Sequence, residues 1–234
     1  MNNSLVFTCE HGGNRIPTEY QGLFRGQASV LKSHRGWDRG ALVLARQLSS
    51  ELKGPLVFSE TSRLLIDLNR SLHHPRVFSE FTHNTDQATR QQIIQQVYLP
   101  YRRQAEKKME TVMKKQGIVL HFSIHTFVPE LNNIPRNTDI GLLYDPQREG
   151  ERALCLHLQD QLQSITRRWR VRRNYPYRGV ADGFTTWLRK KFPGKNYIGI
   201  EIEVNQKHAS SRRDWRDLCE KITEAMLTVT ESST

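Results

Sequence analysis

Three apolar runs, each ending in an acidic or metal-ligating side chain, constrain what this chain can fold into. They are Leu-Val-Phe-Thr-Cys over 5–9, leading to Glu10 and His11; Ile-Val-Leu-His-Phe-Ser-Ile over 118–124, leading to His125; and Tyr-Ile-Gly-Ile-Glu-Ile-Glu over 197–203. Runs this short, rich in β-branched and aromatic residues, read as buried strands. The segments between them carry helical spacing. Over 38–52, Ala41, Leu42, Leu44, Ala45, Leu48 and Leu52 recur on one face, and Gly54-Pro55 ends the run. Residues 86–116 read as helical, with Pro100 kinking or dividing the run and Gly117 closing it. Further helices are predicted over 150–165, 183–192 and 214–228, and short strands over 56–59, 64–68, 140–144 and 169–172. Residues 17–32 read as a long loop or short helical insert. This alternation predicts an α/β fold: a three-layer α/β/α arrangement with a mixed, mostly parallel central sheet covered on both faces.

The 234 residues show no break in composition, which predicts one domain over 1–234. No segment reaches the ~20 apolar residues that a membrane span requires. Residues 1–4 lack the basic and apolar blocks of a signal peptide, so a cytoplasmic location is expected. Cys9, Cys155 and Cys219 are widely spaced and form no Cys-x-x-Cys pair, which points to buried thiols rather than a disulfide framework. The net charge of +11 attracts anions. Its basic residues are scattered, as at Arg102-Arg103, Lys107-Lys108 and Arg189-Lys190-Lys191, mostly on helical stretches. That pattern fits solvated faces and attraction for small anionic substrates. A non-enzymatic basic protein that binds nucleic acid is the alternative.

In open α/β sheets the carboxyl ends of strands line the ligand crevice, so His11, His125 and Glu203 can converge. Zinc in a hydrolytic site takes three nitrogen or oxygen ligands and keeps a fourth position for water. Two histidines therefore need a carboxylate. Asp38, opening the helix after the first strand, can supply it, although an aspartate there also reads as a cap. Glu10 is the other choice, but strand alternation points it away from His11. Gly12-Gly13 after His11 makes a turn flexible enough to approach a ligand. Glu201 and Glu203 share a strand face, and Glu203, nearer the carboxyl end, is the better general base. His121 lies toward the other end of its strand and reads as a packed residue. Arg63 and Arg70 bracket the 64–68 segment, and a guanidinium can grip a carboxylate or stabilise an oxyanion.

Asp67-Leu68-Asn69-Arg70 resembles the Asp-x-Asn-Arg element of zinc carboxypeptidases and of aspartoacylase-like and succinylglutamate desuccinylase-like deacylases. Ser123-Ile124-His125-Thr126-Phe127 resembles their strand bearing the last zinc histidine, and Ile202-Glu203-Val204 the strand bearing their catalytic glutamate. Taken in order from Cys9-Glu10-His11-Gly12-Gly13 through Trp37-Asp38-Arg39-Gly40 to Glu203-Val204-Asn205, the chain is similar to the N-formylglutamate amidohydrolase family over about residues 5–210. The resemblance implies a phosphorylase/hydrolase-like fold and zinc-dependent hydrolysis of the amide of a small N-acyl, formyl-type, carboxylate-bearing amino acid, by metal-bound water that a glutamate activates. It implies His11 and His125 as zinc ligands. It makes Glu203 the acid/base and Arg63 the group that polarises the scissile carbonyl, while Asn69 and Arg70 bind a carboxylate. Arg136 and Tyr177 lie in segments that resemble the family's pocket-forming stretches and read as substrate-binding. One position departs from the pattern. The related carboxypeptidases place a zinc glutamate three residues after the first histidine, where this chain has Asn14. Asp38 takes its place, with Glu10 as the fallback. A zinc carboxypeptidase or amidase acting on small peptides is the neighbouring reading.

Overall fold

The computed structural model describes residues 4–231; residues 1–3, on which most of the localisation reading rests, lie outside the described residues, as do 232–234. The apolar runs become β1 (Leu5–Cys9), β2 (Leu56–Phe58), β3 (Val119–Phe127), the short β4 (Glu130–Leu131) and β5 (Ile134–Pro135), β6 (Ile140–Leu143), β7 (Val171–Arg173) and β8 (Tyr197–Asn205). Six of them form one sheet in the order β2-β1-β3-β8-β6-β7. β1, β2, β3 and β8 are parallel, whereas β6 runs antiparallel to β8 and parallel to β7. The sheet is therefore mixed and mostly parallel, as the alternation implies.

Side chains alternate across the two long central strands, and this sets where the chemistry lies. Leu120, Phe122 and Ile124 of β3 and Ile200, Ile202 and Val204 of β8 enter one hydrophobic cluster. That cluster is covered by α2 (Ala41–Glu51), α5 (Glu149–Ile165) and α7 (Arg212–Glu231). The residues between them, His121, Ser123, His125, Glu201 and Glu203, face the opposite side and are all buried. There the covering elements are α4 (Leu99–Gln116) and α6 (Phe184–Lys191), with α1 (Ala28–Lys32) and α3 (Gln87–Ile93) farther out. All three cysteines are buried and unpaired. No described helix is long and apolar enough to cross a membrane.

Three local expectations are corrected. Asp38 does not open a helix: α2 starts at Ala41, behind Gly40 at φ +90°, where an added Cβ would lie 2.6 Å from the Trp215 ring. The 64–68 segment is not a strand. Its backbone bonds are local turns, Leu65 N to Ser62 O at 3.0 Å and Arg70 N to Asp67 O at 3.1 Å, and Leu64, Leu65, Ile66 and Leu68 are all buried without alternation. Gly12-Gly13 is a packing device rather than a flexible turn. A Cβ at Gly12 would lie 2.9 Å from Ser59 O and one at Gly13 2.6 Å from Glu60 O, so their missing side chains let the loops after β1 and β2 close together. Pro100 does divide its run: a π-helical turn over Ile94–Tyr98 separates α3 from α4, and the proline sits at the start of α4.

Candidate metal centre and catalytic cavity

His11 lies two residues past β1, and the loop holding Asp38 is tied to it by a hydrogen bond from Asp38 N to His11 O of 2.9 Å. His125 projects from β3 beside them. The Nδ1 atoms of both histidines face one oxygen of Asp38, His11 at 3.3 Å and His125 at 2.9 Å. The three groups are buried, and their donor atoms lie within 4.8 Å of one another. The far nitrogens are each backed by a carboxylate. His11 Nε2 meets Asp67 Oδ1 at 2.7 Å, and His125 Nε2 meets Glu10 Oε2 at 3.0 Å. Glu10 is itself held by hydrogen bonds from Tyr101 of α4 and Ser123 of β3, at 2.7 and 2.6 Å. Glu10 thus stands behind His125, on its Nε2 side, while Asp38 meets the same ring at Nδ1.

These residues fit a divalent metal. Ligands about 2.1 Å from a tetrahedral zinc lie roughly 3.4 Å apart, close to the two contacts that Asp38 makes. Carboxylates on the remote imidazole nitrogens fix ring orientation and tautomer, a recurring feature of histidine metal sites. The charge balance agrees: Glu10, Asp38 and Asp67 surround the two rings, and Arg63 bridges Asp38 and Asp67 at 3.4 and 2.7 Å. Burial opposes ionisation of these carboxyls, but neighbouring cations and hydrogen bonds overcome it and hold all three well below the ordinary carboxylate range. Burial likewise opposes charge on His125, yet its bonds to Asp38 and Glu10 keep its pKa well above the usual histidine value.

Glu203 behaves differently. It lies beside His125 in the β3–β8 register and opposite Gly141 of β6. Gly141 lets the Tyr175 carbonyl approach, since a Cβ there would lie 2.1 Å from Tyr175 O, and that Cβ would also crowd the Glu203 Cβ at 3.3 Å. Glu203 Oε2 is buried with no hydrogen-bond partner among the described residues. Burial pushes its pKa up to about 8; His125 pulls it down, while Asp38 and Glu201 push it further up. Glu201 instead accepts a hydrogen bond from Thr185 of α6.

A cavity of about 150 Å³ gathers His11, Asp38, Arg63, Arg70, His125 and Glu203. Asn69 and Tyr177 also line it. Asn69 Oδ1 accepts the Phe184 backbone N–H at 2.7 Å, which leaves its amide group for the cavity, and Arg70 Nη1 donates to Asp182 O at 2.8 Å. Tyr98, at the end of the π-helical turn, and Arg102 of α4 hold the Arg70 carbonyl at 2.7 and 2.8 Å, fixing the turn. Arg136 is not among the lining residues; it donates to the Tyr177 hydroxyl at 3.0 Å and lies over the Tyr177 and Phe127 rings. Asn14 donates to Leu31 O at 3.1 Å, away from the metal-type cluster. His121 is packed between Thr8 and Tyr197, each at 2.8 Å. Sequence reasoning missed Asp67 and Glu10 as partners of the histidines, and Arg178 and Asp182 as cavity residues. The place of Asp67 in the Asp67-Leu68-Asn69-Arg70 element and of Glu10 next to His11 was the available signal for the first two.

Comparison with known proteins agrees with this architecture. A profile of the N-formylglutamate amidohydrolase family matches residues 3–209. A solved gene product of Agrobacterium tumefaciens is 27% identical with a TM-score of 0.81, over 98% of this chain and 91% of its own. An N-formylglutamate amidohydrolase from Ralstonia eutropha shares the fold at 19% identity and a TM-score of 0.72, over 98% and 93% of the two chains. An N-acetylmuramoyl-L-alanine amidase of Nostoc punctiforme is more distant, at 13% identity and 0.50, over 98% of each chain. No curated protein matches the chain. The fold and the family define an amide-hydrolysing enzyme. Within that class, the chain belongs to the N-formylglutamate amidohydrolase family.

Proposed function

We propose that the chain forms a single zinc-dependent amidohydrolase domain that cleaves the amide of a small N-acyl, formyl-type amino acid. One observation carries the reading: His11 Nδ1, Asp38 Oδ2 and His125 Nδ1 converge in a cavity that also holds the unpartnered oxygen of Glu203. Those three atoms would hold the ion. Bound zinc supplies Lewis-acid polarisation and makes water acidic enough to attack near neutral pH.

The chain's own residues do the rest. Glu203 accepts a proton from the attacking water at its carboxylate and returns one to the leaving nitrogen as the C–N bond breaks, releasing the acyl acid and the amine. Burial raises the Glu203 carboxyl, and a cation held beside it would draw it back down, which suits a group that must take up and give back a proton near neutrality. Arg63, partly buried and kept charged by Asp67 and Asp38, presents its guanidinium to the oxygen that gains negative charge. Asn69 and Arg70 orient the substrate through its carboxylate. Tyr177 covers the cavity, and Arg136 acts through it by holding its hydroxyl. The test is hydrolysis of formyl-, acetyl- and succinyl-amino acids by purified protein supplied with zinc. N-formylglutamate is the expected substrate, and His125→Ala is expected to lose both bound zinc and activity. Protein that takes up no zinc, with His125→Ala as active as the parent, would overturn the reading.

A further inference from the structure

Arg178 stands apart from the other arginines of the cavity. Arg63 is engaged with Asp38 and Asp67, and Arg70 with Asp182. The exposed Arg178 side chain lines the same cavity yet has no hydrogen bond or ion pair among the described residues. It also lines an open depression of about 850 Å³ on the outer side, together with Val180, Thr186 and Lys190. Two other cations of that depression are already satisfied internally. Arg148 donates to the carbonyls of Gly194 and Tyr197 at 2.9 and 2.8 Å, and Arg189 pairs with Glu151 at 2.9 Å. Arg178 and the exposed, unpaired Lys190 remain to meet an anion, with Asp145 the acidic residue on the lining.

The loop that carries Arg178 is fixed in place. Gly179 O accepts Arg189 Nη1 at 2.6 Å, Gly179 N donates to Asn174 Oδ1 at 3.0 Å, and Ala181 O accepts Thr186 Oγ1 at 2.7 Å. Gly179 lies so close to β6 that a Cβ would sit 2.2 Å from Tyr144 N. A cation on such a loop is preorganised, which lowers the cost of binding. Val180, 48% exposed, adds an apolar edge beside it. The catalytic cavity, at about 150 Å³, is small beside the roughly 300–1,000 Å³ of usual small-molecule sites. It suits one acylated residue whose chain continues outward.

We propose that the substrate runs out of the catalytic cavity past Arg178 and ends in a further carboxylate at Arg178 and Lys190, so that N-acylated acidic dipeptides are better substrates than their neutral counterparts. This rests on the amidohydrolase reading above. The test compares N-formylglutamate, N-formyl-glutamyl-glutamate and N-formyl-glutamyl-glutamine with the zinc-supplied full chain. The glutamyl-glutamate compound is expected to exceed the glutamyl-glutamine compound in kcat/KM by about fivefold to tenfold at low salt, shrinking as ionic strength rises. Arg178→Ala and Lys190→Ala should each bring that ratio toward one. Calorimetric titration with the deacylated dipeptides should show the same preference without turnover. If N-formylglutamate is hydrolysed but the two dipeptides react and bind alike, this inference fails and the amidohydrolase reading stands. If none of the three is hydrolysed, both fall.

Discussion

Asp67 joins two parts of the site through one carboxylate. Its Oδ1 meets His11 Nε2 at 2.7 Å and accepts Asn69 N at 3.0 Å, while Oδ2 takes Arg63 Nη2 at 2.7 Å. Asp67→Asn is therefore expected to weaken zinc roughly 10- to 100-fold in a competitive chelator titration and to lower kcat/KM through the loosened Arg63. Unchanged zinc affinity would remove Asp67 from this positioning role. Glu203→Gln separates proton transfer from metal binding: kcat should fall by roughly 10²- to 10⁴-fold with zinc content intact, and a loss of zinc instead would make Glu203 a ligand. His121 carries a pH dependence of stability. Burial lowers its pKa to about 3, against a slight rise from Glu10, whereas the unfolded chain has about 6.5. Between those values the unfolded state binds the proton that the folded state resists. Stability is then full above about pH 6.5 and falls toward pH 3, with a slope approaching about 1.4 kcal/mol per pH unit. Urea unfolding at pH 7 and pH 4.5 should show that drop, and His121→Gln should show a smaller one; equal drops would refute it. The convergence of His11 and His125 was legible because strand ends meet at one sheet edge, whereas Asp38 was expected from a helix start and is instead brought there by the loop tied to His11 O. The carboxylates behind the rings were not, because Glu10 reaches a histidine on another strand and Asp67 lies in a turn that reads like a strand.

At the scale of elements, α6 shows how a basic run can be partly internal. Arg189, in the Arg189-Lys190-Lys191 sequence that reads as a solvated face, is buried against Glu151 of α5 and donates to Gly179 O and Gly199 O at 2.6 and 3.0 Å. Arg102 of α4 is likewise enclosed, stacked over Tyr98, Phe184 and Trp187. Glu151 also holds Arg148 Nε at 3.1 Å and accepts the Asp145 N–H at 2.8 Å, so losing Arg189 leaves it partnered but takes the donors from the Gly179 and Gly199 carbonyls. Arg189→Met is expected to destabilise the fold by roughly 1–3 kcal/mol in urea unfolding. A single-variant loss below about 1 kcal/mol would show that the pair is not structural. Helices and central strands were legible from apolar spacing, and the segment over 64–68 was not. Apolar residues buried in successive turns look like a strand until the backbone partners are known. The β4–β5 hairpin was also missed, although Asn132-Asn133, both at positive φ, form the kind of two-residue turn that such hairpins favour.

Across the whole molecule, parallel β1, β3 and β8 deliver the ends of distant segments to one edge, and antiparallel β6 closes the site beside Glu203. If the cluster binds zinc as proposed, this much buried negative charge should be stabilised by the cation, and the apparent Tm should rise with zinc concentration. The most direct test of the proposed chemistry is hydrolysis of N-formylglutamate by chelator-stripped protein as zinc is added back. Activity should be absent at the start, rise in proportion to added zinc and level off at about one ion per chain. Full activity in the stripped protein, or none after zinc is restored, would contradict it.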